Sequence, residues 1–341
     1  MNILDARGEF NKRVVATYKE KITPMSFLRS FFKTNESTSK TVSIAVQRGT
    51  EKIAVDVMRG SHGQRNTFSK ATEKVFLPPF YREYFDITEM DLYDVFQASG
   101  ADPILYAEFA QSVAEKMGEL VSKIERAYEL QCSQVLHTGV VTLNNGDSID
   151  FGRKSGSFVT PNDWGSTGDP FANVQAGCKW IRQNGKSQGA NFNLILGETS
   201  LGEFMSNAKV LAQADLRRID HLAIGRPQRD SVGATTHGQF SAGDYNITLW
   251  SYPEYYDNSS SVSTPYIDPK TAILLPEQPK FNLEFAAVPQ LIDGKKSIQK
   301  GAYVFGDYPD ERNATHDYDV KSAGIAIPVA VDQIYTIKTK A

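Results

Sequence analysis

The sequence predicts a mixed α+β fold organised around one unusually long helix. Three patterns indicate this fold class. Residues 102–137 carry apolar side chains at helical spacing, residues 42–57 alternate with a period of two, and strand-like segments dominate from residue 247 onward. Residues 169–217 add helix, strand and helix signals in succession, which is typical of an α/β layer. The chain shows no internal repeat, so we expect each part to occur once.

The segments before the long helix are predicted to be extended. Residues 8–33 have a weak helical pattern that ends in an apolar patch, and they are interpreted as an arm. Residues 42–57 predict a long two-stranded ribbon with a basic tip at residues 60–66. Because such a ribbon is only marginally stable alone, we expect its apolar face to be buried against its own domain or another chain. Residues 84–88 are also predicted to be extended.

The long helix is predicted from Asp102 to His137. Asp102 can cap free amide groups, Pro103 presets the first turn, and Gly139 suits the left-handed position that follows a helix. At about 1.5 Å per residue this helix would be a rod of roughly 50 Å. A coiled coil is not favoured, because the heptad rhythm of apolar residues fails at Gln131. We therefore expect a rod that lies across a sheet.

A hairpin and then a second domain are predicted after the long helix. Strands at residues 140–143 and 149–151 flank an Asn-Gly turn, and a Gly/Ser-rich stretch places a domain boundary near residue 165. Asp169 and Pro170 begin a helix that runs to about Asn184, with Gly185 as its C-cap.

The second domain continues with one more helix and a series of strands. Ser200 and Glu203 form a capping box that predicts a helix to about Arg217. The predicted strands are 192–196, 247–252, 271–275, 281–288, 302–305 and 325–337.

The composition of the 341 residues indicates a globular chain in a reducing compartment. No run of about 18 apolar residues occurs and the N-terminal residues are charged, so we expect neither secretion nor membrane insertion. Cys132 and Cys178 are far apart in the sequence, which argues against a disulfide framework or a zinc site.

The net charge of −3 conceals an asymmetry along the chain. Residues 1–74 contain 14 Lys/Arg and 7 Asp/Glu, whereas residues 75–341 contain 23 and 33. We expect the basic part to face nucleic acid or the acidic face of a neighbouring subunit, and a solvated surface of mixed charge is the alternative.

No enzyme motif is found in the sequence. The segment Gly185-Lys186-Ser187 resembles the end of a phosphate loop, but Trp180 stands where that loop needs glycine. The five histidines are scattered, and His137 suits the negative end of the long helix dipole. We therefore expect no catalytic, cofactor-binding or metal-binding residues. The alternative is an α/β enzyme with an anion site at residues 196–200, where a helix N-terminus could hold an anion.

Three segments carry a resemblance to a known family. They are FLRSFFKT at residues 27–34, TEKIAVDVMRGSHGQ at residues 50–64, and SAGIAIPVAVDQIYTIK at residues 322–338. With the order of arm, ribbon, long helix and α/β domain, they resemble the major capsid proteins of tailed bacteriophages with the Hong Kong 97-type fold. Within that group the chain most resembles the phage lambda major capsid protein family. The resemblance covers the organisation of most of the chain.

The resemblance implies a role for each part of the chain. Residues 1–40 would be the N-terminal arm, 41–78 the E-loop reaching over a neighbouring subunit, 79–165 the peripheral domain with the spine helix, 166–318 the axial domain, and 319–341 a strand returning to the peripheral domain. The E-loop residues between subunits would be Arg48, Lys52, Ile53, Val55, Val57, Arg59 and Arg65. The arm residues at the inner surface, near DNA or an acidic scaffold, would be Arg7, Lys12, Arg13, Lys19 and Lys21.

The resemblance also implies partners and a location. Hexamers and pentamers of the chain would form an icosahedral shell around a double-stranded DNA genome, which is contacted non-specifically, and the shell would contain a portal protein. A separate scaffolding protein is implied because no long N-terminal extension is present, and a decoration protein is left open. The virion would be assembled in the host cytoplasm, without cofactor or membrane. An encapsulin-like compartment with the same fold is the alternative within this class.

Overall fold

The computed structural model describes residues 27–46, 72–88, 103–143, 146–161, 163–214, 222–258, 260–292, 295–310 and 315–340. The α-helices in these parts are α1 (Pro103–Thr138), α2 (Pro170–Asn184), α3 (Glu198–Ser206) and α4 (Ala208–Ala214). Short 3-10 turns lie at Leu28–Phe31, Ser155–Ser157 and Val331–Gln333. The strands are β1 (Phe32–Glu36), β2 (Val42–Val46), β3 (Thr72–Phe76), β4 (Tyr81–Thr88), β5 (Val140–Thr142), β6 (Ser148–Asp150), β7 (Phe158–Val159), β8 (Asn191–Leu196), β9 (Leu222–Arg229), β10 (Thr235–Ala242), β11 (Tyr245–Ser251), β12 (Tyr255–Asp257), β13 (Ser263–Pro265), β14 (Thr271–Pro276), β15 (Phe281–Phe285), β16 (Val288–Ile292), β17 (Lys295–Gln299), β18 (Val304–Asp310), β19 (Thr315–Ser322), β20 (Gly324–Ile327) and β21 (Tyr335–Lys338).

The predicted long helix is confirmed as α1, displaced by one residue at each end. Gly139 follows it with a φ of 73°, the left-handed conformation that glycine adopts at least cost. Buried residues repeat at helical spacing along the helix: Val113, Met117, Leu120, Ile124, Tyr128, Cys132 and Val135. This apolar stripe explains why a helix of 36 residues is stable, because most of its length packs against a core.

Two three-stranded sheets pack on α1. One has the order β1-β15-β20 and the other the order β18-β19-β4, and α1 contacts strands of both. Tyr128 on α1 meets Phe285 on β15 edge to face, with ring centroids 5.3 Å apart. Val320 and Ile325 complete this core and are fully buried. The rod therefore lies across strands, as the sequence pattern predicts.

A mixed seven-stranded sheet forms the second half of the molecule, in the order β7-β21-β14-β8-β11-β10-β9. Helix α2 packs on it and shares an apolar cluster with α3 and α4. A β-carbon on Gly177 of α2 would lie only 2.7 Å from the Tyr335 ring and 2.8 Å from Leu274. Glycine at this position therefore lets the helix lie close to the sheet.

Several local predictions are confirmed. Asp169 caps α2 by accepting a hydrogen bond from the Ala172 amide at 3.1 Å. The hairpin after α1 is formed by β5 and β6, which pair antiparallel. The first ribbon strand is β2, and its partner is β3. The second ribbon strand predicted at residues 53–57 lies outside the described residues.

The capping box predicted at Ser200 is wrong. The helix begins earlier, at Glu198, with Gly197 as its N-cap, and Ser200 lies inside α3. The Ser200 hydroxyl lies 2.8 Å from Thr339 Oγ1 and is also bonded to the Pro269 carbonyl, so it is not available as a cap. The helix predicted to continue to about Arg217 is interrupted at Asn207, whose side-chain oxygen caps the next helix through the Lys209 amide.

Two predicted strands are wrong in extent. The segment predicted as one strand over 325–337 forms β20 and β21, which belong to different sheets. Pro328 has no amide to donate and ends β20, and a 3-10 turn follows. The segment predicted over 281–288 divides into β15 and β16 at Ala286 and Ala287.

Strands β9 and β10 have no counterpart among the predicted elements. The sequence of β9 contains Gly225 and Pro227, which weaken a strand pattern. In β10 the register shifts between Thr236 and Gly238, and Gly238 has a φ of 110°. A glycine bulge of this kind breaks the alternation on which strand prediction depends.

Candidate functional site

A buried carboxylate on α1 holds the first described residues of the chain. Glu129 is fully buried, and its two oxygens accept hydrogen bonds from the amides of Leu28 and Arg29, at 3.0 and 3.1 Å. These amides begin a 3-10 turn, so they have no partner within that turn. The carboxylate therefore caps the turn from across the core and fixes the point where the N-terminal part joins the helix.

One helical turn away, Glu125 holds the Arg29 side chain. Arg29 Nη1 lies 3.4 Å from Glu125 Oε1, and the Tyr303 hydroxyl donates to the same oxygen at 3.2 Å. Burial lowers the pKa of Arg29, but Tyr303 and Glu125 outweigh this effect and raise it. Burial raises the pKa of Tyr303 to about 12. The contact thus joins the N-terminal segment, α1 and the chain just before β18.

The residues from Phe27 to Glu36 belong to the core rather than to a detached arm. Phe27, Leu28 and Phe32 are buried, and Phe27 packs against Trp250 with ring centroids 5.2 Å apart. Strand β1 then pairs parallel with β15 along its whole length. The sequence pattern marked residues 27–32 as apolar, but it gave no sign of a strand at residues 32–36.

Polar side chains on α1 also hold the closing strands of the chain. The Tyr128 hydroxyl contacts Ser322 and accepts a hydrogen bond from the Gly324 amide at 2.9 Å. Gln131 is buried, donates to the Tyr81 hydroxyl at 2.7 Å and accepts from the Ala326 amide at 3.2 Å. The residue that interrupts the heptad rhythm is therefore the one that ties α1 to β4 and β20.

Arg153 supplies the cap at the C-terminal end of α1. Its guanidinium donates to the carbonyls of Leu136 and His137 at 3.1 and 3.0 Å, and to Ile334 and Thr336 near β21. Burial lowers the pKa of Arg153 to about 9, so the group stays charged at neutral pH. One side chain thus satisfies the free carbonyls of the helix and joins it to the seven-stranded sheet.

His137 does not act as the cation at this helix end. Its Nε2 accepts a hydrogen bond from the Asp268 amide at 3.2 Å, which requires the neutral ring. Burial lowers the pKa of His137 to about 4. The expected interaction of a charged His137 with the helix dipole is therefore wrong at neutral pH, and Arg153 has that role.

Large apolar side chains are exposed in β4 and in the segment that joins it to β3. Leu77, Phe80 and Tyr84 are 59%, 51% and 62% exposed. They lie at the base of the ribbon formed by β2 and β3, which pair with no other strand among the described residues. A cluster of this kind is typical of a surface that another protein chain covers.

A cavity of about 540 Å³ opens beside α1, between the helix and the turn that joins β9 to β10. Its lining is mainly charged or hydroxylated and includes Glu125, Arg126, Arg229, Glu254, Tyr252 and Tyr266. Glu254 is paired with Arg229, as Glu125 is with Arg29. The lining therefore lacks the apolar character of a typical small-molecule site.

The interface residues predicted from the sequence lie outside the described part of the chain. This applies to the E-loop residues Arg48, Lys52, Ile53, Val55, Val57, Arg59 and Arg65, and to the arm residues Arg7, Lys12, Arg13, Lys19 and Lys21. The contacts of Arg29, Glu125, Glu129, Gln131 and Arg153 have no counterpart in that prediction. The sequence offered one indication of these contacts, namely that the polar Gln131 interrupts an apolar helical stripe.

The alternative anion site at residues 196–200 is contradicted by the structure. The Gly197 and Ser200 amides donate to the carbonyls of Thr271 and Pro269, at 3.0 and 2.9 Å. A β-carbon on Gly197 would lie 2.2 Å from the Asp268 carbonyl oxygen, which shows how closely that chain covers the turn. Two amides of the turn are thus bonded within the chain, and the acidic Glu198 in the first turn of α3 repels an anion.

The other segments considered for chemistry have structural roles. Gly185 is the C-cap of α2, as interpreted, but its φ is −80°, so glycine is needed for space rather than for backbone conformation. A β-carbon there would lie 2.6 Å from the Asp332 carbonyl oxygen. Cys132 and Cys178 are buried core residues, and burial raises the pKa of Cys178 to about 12.

Neither a metal cluster nor a membrane helix is found within the ranges given above. No three His, Cys, Asp or Glu side chains are grouped there as metal ligands would be. None of the helices there is long and apolar enough to cross a membrane.

Comparison with known proteins relates this arrangement to phage shells. The family model described as phage major capsid protein E matches residues 14–339. A putative capsid protein of an Escherichia coli CFT073 prophage has a TM-score of 0.64 and 14% identity, over 97% of this chain and 98% of that one. A phage-related protein from Bordetella bronchiseptica RB50 has a TM-score of 0.56 and 11% identity, over 96% of this chain and 95% of that one. A search of the curated proteins finds no match.

These findings confirm the predicted Hong Kong 97-type capsid fold and the function as a shell subunit of the virion. The family match favours a phage capsid over an encapsulin-like compartment. Since the model covers nearly the whole chain, the chain belongs to the family of phage major capsid protein E.

Proposed function

We propose that copies of this chain form hexamers and pentamers of a closed icosahedral shell around a double-stranded DNA genome. The observation that supports this arrangement is the ribbon of β2 and β3, which has no third strand among the described residues and has exposed apolar residues at its base. A ribbon of two strands needs a further surface for stability, and a neighbouring subunit supplies one. If each ribbon buries about 800 Å² per partner, the contact reaches the size of a standard specific interface.

Deletion of residues 47–69 tests the ribbon assignment. The shortened chain should keep its circular dichroism spectrum but form no shells in sedimentation and negative-stain electron microscopy. A matched control replaces Val262, an exposed residue in the turn between β12 and β13, by serine and should assemble normally. A deletion variant that makes normal shells would remove the ribbon from the interface.

We further propose that the division into arm (1–40), E-loop (41–78), peripheral domain (79–165 with 319–341) and axial domain (166–318) applies to this chain. The apolar cluster between α2 and the seven-stranded sheet supports the axial domain, whereas the cluster around α1 also takes in Phe281, Phe285 and Val304 from the later part of the range 166–318. Within the proposed arm, the buried Phe27, Leu28 and Phe32 and the pairing of β1 with β15 support a docked base at residues 27–36. The particular resemblance to the phage lambda family remains a prediction.

The basic arm is proposed to contact packaged DNA or an acidic scaffolding protein through Arg7, Lys12, Arg13, Lys19 and Lys21. Such contacts release counterions and must weaken as salt increases. Retention of DNA or scaffold in shells should therefore fall between 50 and 500 mM salt, measured by cosedimentation, on the order of tenfold or more. Retention that does not change with salt would contradict this role.

The remaining partners are proposed from the family assignment. They are a separate scaffolding protein and a portal protein, and the presence of a decoration protein is an open question. Assembly is proposed to take place in the host cytoplasm. The chain is proposed to have no enzymatic activity, because the buried polar contacts described above join elements of the chain to one another.

A further inference from the structure

The hairpin of β16 and β17 carries an apolar and basic surface that the chain leaves uncovered. Its two strands pair only with each other among the described residues. Ile298 is 71% exposed and lies opposite Pro289, which is also exposed. The sequence places Lys295, Lys296 and Lys300 around Ile298. The other side of the hairpin is anchored, since Val288 is fully buried and Gln290 donates to the Phe305 carbonyl at 2.6 Å.

A second surface, on the outer face of β4 and β19, has the opposite character. Asp86 lies directly opposite Asp317 in the strand register, and the exposed Tyr84 is two residues away on the same face. Like charges directly opposite each other destabilise a sheet unless a cation lies between them. No hydrogen bond or ion pair joins Asp86 to the described residues, and Asp317 accepts only from Thr315.

Two nearby cations among the described residues are already engaged. Arg82 and Lys321 both bind Asp319 Oδ2, at 2.8 and 3.0 Å, and Lys321 also donates to the Tyr308 hydroxyl. Asp319 Oδ1 is buried and has no hydrogen-bond partner within the described part of the chain. Within the described part of the chain, the outer face therefore keeps a pair of carboxylates with no cation between them, beside an exposed aromatic ring.

We propose that the hairpin Val288–Gln299 of one copy docks on the face formed by Tyr84, Asp86 and Asp317 of a second copy. Ile298 packs on Tyr84, and the exposed Lys300, which directly follows the hairpin, lies between the two carboxylates. The contact is not made within one chain, because Ile298 and Tyr84 are both exposed there. It joins two different surfaces, so it is head-to-tail, and it gives a ring where the rotation between copies closes. The inference rests on the proposed assembly into a shell and names one of its contacts.

A cysteine pair tests the contact in assembled shells. A chain carrying Tyr84→Cys and Ile298→Cys should form a ladder of covalent oligomers after mild oxidation, seen on a non-reducing gel. Either substitution alone should give no ladder, because a head-to-tail contact keeps like positions apart. The buried Cys132 and Cys178 should not contribute. A control pair of Tyr84→Cys and Val262→Cys should also stay monomeric on the gel.

A charge exchange provides a second measurement. Lys300→Glu and Asp317→Lys should each reduce shell yield about tenfold, and the two together should restore it. Lys179→Glu, at an exposed position on α2, should have no effect. Shells of the unmodified chain with no cysteine ladder and no effect of either charge change would overturn the docking contact alone. Failure of the unmodified chain to form hexamers, pentamers or shells, even with its scaffolding protein, would instead overturn the proposed function. If a charge variant does not fold, the presence or absence of the cysteine ladder alone tests the docking contact.

Discussion

Glu129 Oε1 accepts a hydrogen bond from the Leu28 amide at 3.0 Å, across 101 residues of sequence. The second oxygen binds the Arg29 amide, so one buried carboxylate fixes two successive backbone groups. A charged group in this position is stable only while its oxygens are hydrogen-bonded. Helix α1 therefore determines where the segment that begins at Phe27 joins the fold.

Replacement of Glu129 should release this segment. Glu129→Gln keeps one acceptor oxygen and should cost about 1.5 kcal/mol, whereas Glu129→Ala leaves both amides buried without a partner and should cost about 3 kcal/mol. Urea unfolding of the unassembled chain measures both losses. Trypsin cleavage after Arg29, followed by mass spectrometry, should become faster in the same order.

Glu119→Gln is the matched control, because Glu119 is on the same helix but exposed and paired only with Lys116. It should change the free energy of unfolding by less than about 0.5 kcal/mol. A Glu129→Ala variant as stable as this control would show that the contact does not hold the segment.

Replacement of Arg153 should loosen the C-terminal end of α1. Lysine cannot reach the carbonyls of Leu136, His137 and Ile334 together, so Arg153→Lys should cost about 2 kcal/mol, and Arg153→Ala about 3 kcal/mol. Hydrogen exchange should increase at residues 134–138 and along β21. Lys179→Ala on α2 serves as the control, and unchanged exchange in Arg153→Ala would contradict the capping role.

His137 should make the stability of the chain depend on pH below neutrality. Its pKa is lowered to about 4 by burial, against an ordinary value of 6.5, so the unfolded chain takes up the proton first as the pH falls. The stability due to the neutral ring is complete above pH 6.5 and is lost between pH 6.5 and 4. At pH 5 the loss is about 2 kcal/mol relative to pH 7.

The measurement compares urea midpoints at pH 7 and pH 5 for the unmodified chain and for His137→Gln. Glutamine can accept from the Asp268 amide but does not titrate. The urea midpoint of His137→Gln should therefore fall less between pH 7 and pH 5 than that of the unmodified chain, and the difference should correspond to the loss of about 2 kcal/mol. Equal changes in both chains would show that His137 does not titrate as described.

Two helical glycines should respond in opposite directions to alanine. Gly118 on α1 has no atom within 4 Å of an added β-carbon, so Gly118→Ala should stabilise the chain by about 0.7 kcal/mol through helix propensity. Gly177→Ala on α2 would place its β-carbon 2.7 Å from the Tyr335 ring and should cost about 2 kcal/mol. Thermal unfolding of both variants checks the pair. A stabilised Gly177→Ala variant would contradict the close packing of α2 on the sheet.

The sequence was most informative where local chemistry determines structure. Asp102, Pro103 and Gly139 bounded the long helix to within one residue, and Asp169 with Pro170 predicted the start of α2. The Asn-Gly turn predicted the hairpin of β5 and β6. In these cases the capping or turn residue adjoins the element that it limits, so no distant contact is needed for the prediction.

The predictions failed where distant residues decide the structure. Ser200 and Glu203 have the spacing of a capping box, but Thr339 and Pro269 engage the serine hydroxyl. Strand β1 exists because β15, almost 250 residues later, offers an edge to Phe32–Glu36. For the same reason the Glu129 contact could not be foreseen, since a glutamate on a helix shows no sign in sequence of the amides it will bind. Likewise, the continuous apolar pattern of residues 325–337 gave no sign that the chain passes from one sheet to another at Pro328.

The position of β21 has a consequence for the timing of shell production. This strand is the last of the chain, yet it lies inside the seven-stranded sheet, between β7 and β14. Strand β20 likewise completes the sheet against α1. Neither core can close until the ribosome has added residues 324–338, and a shorter chain would leave the edges of β14 and β15 unpaired. Chains that end before residue 324 should therefore be poor subunits for assembly.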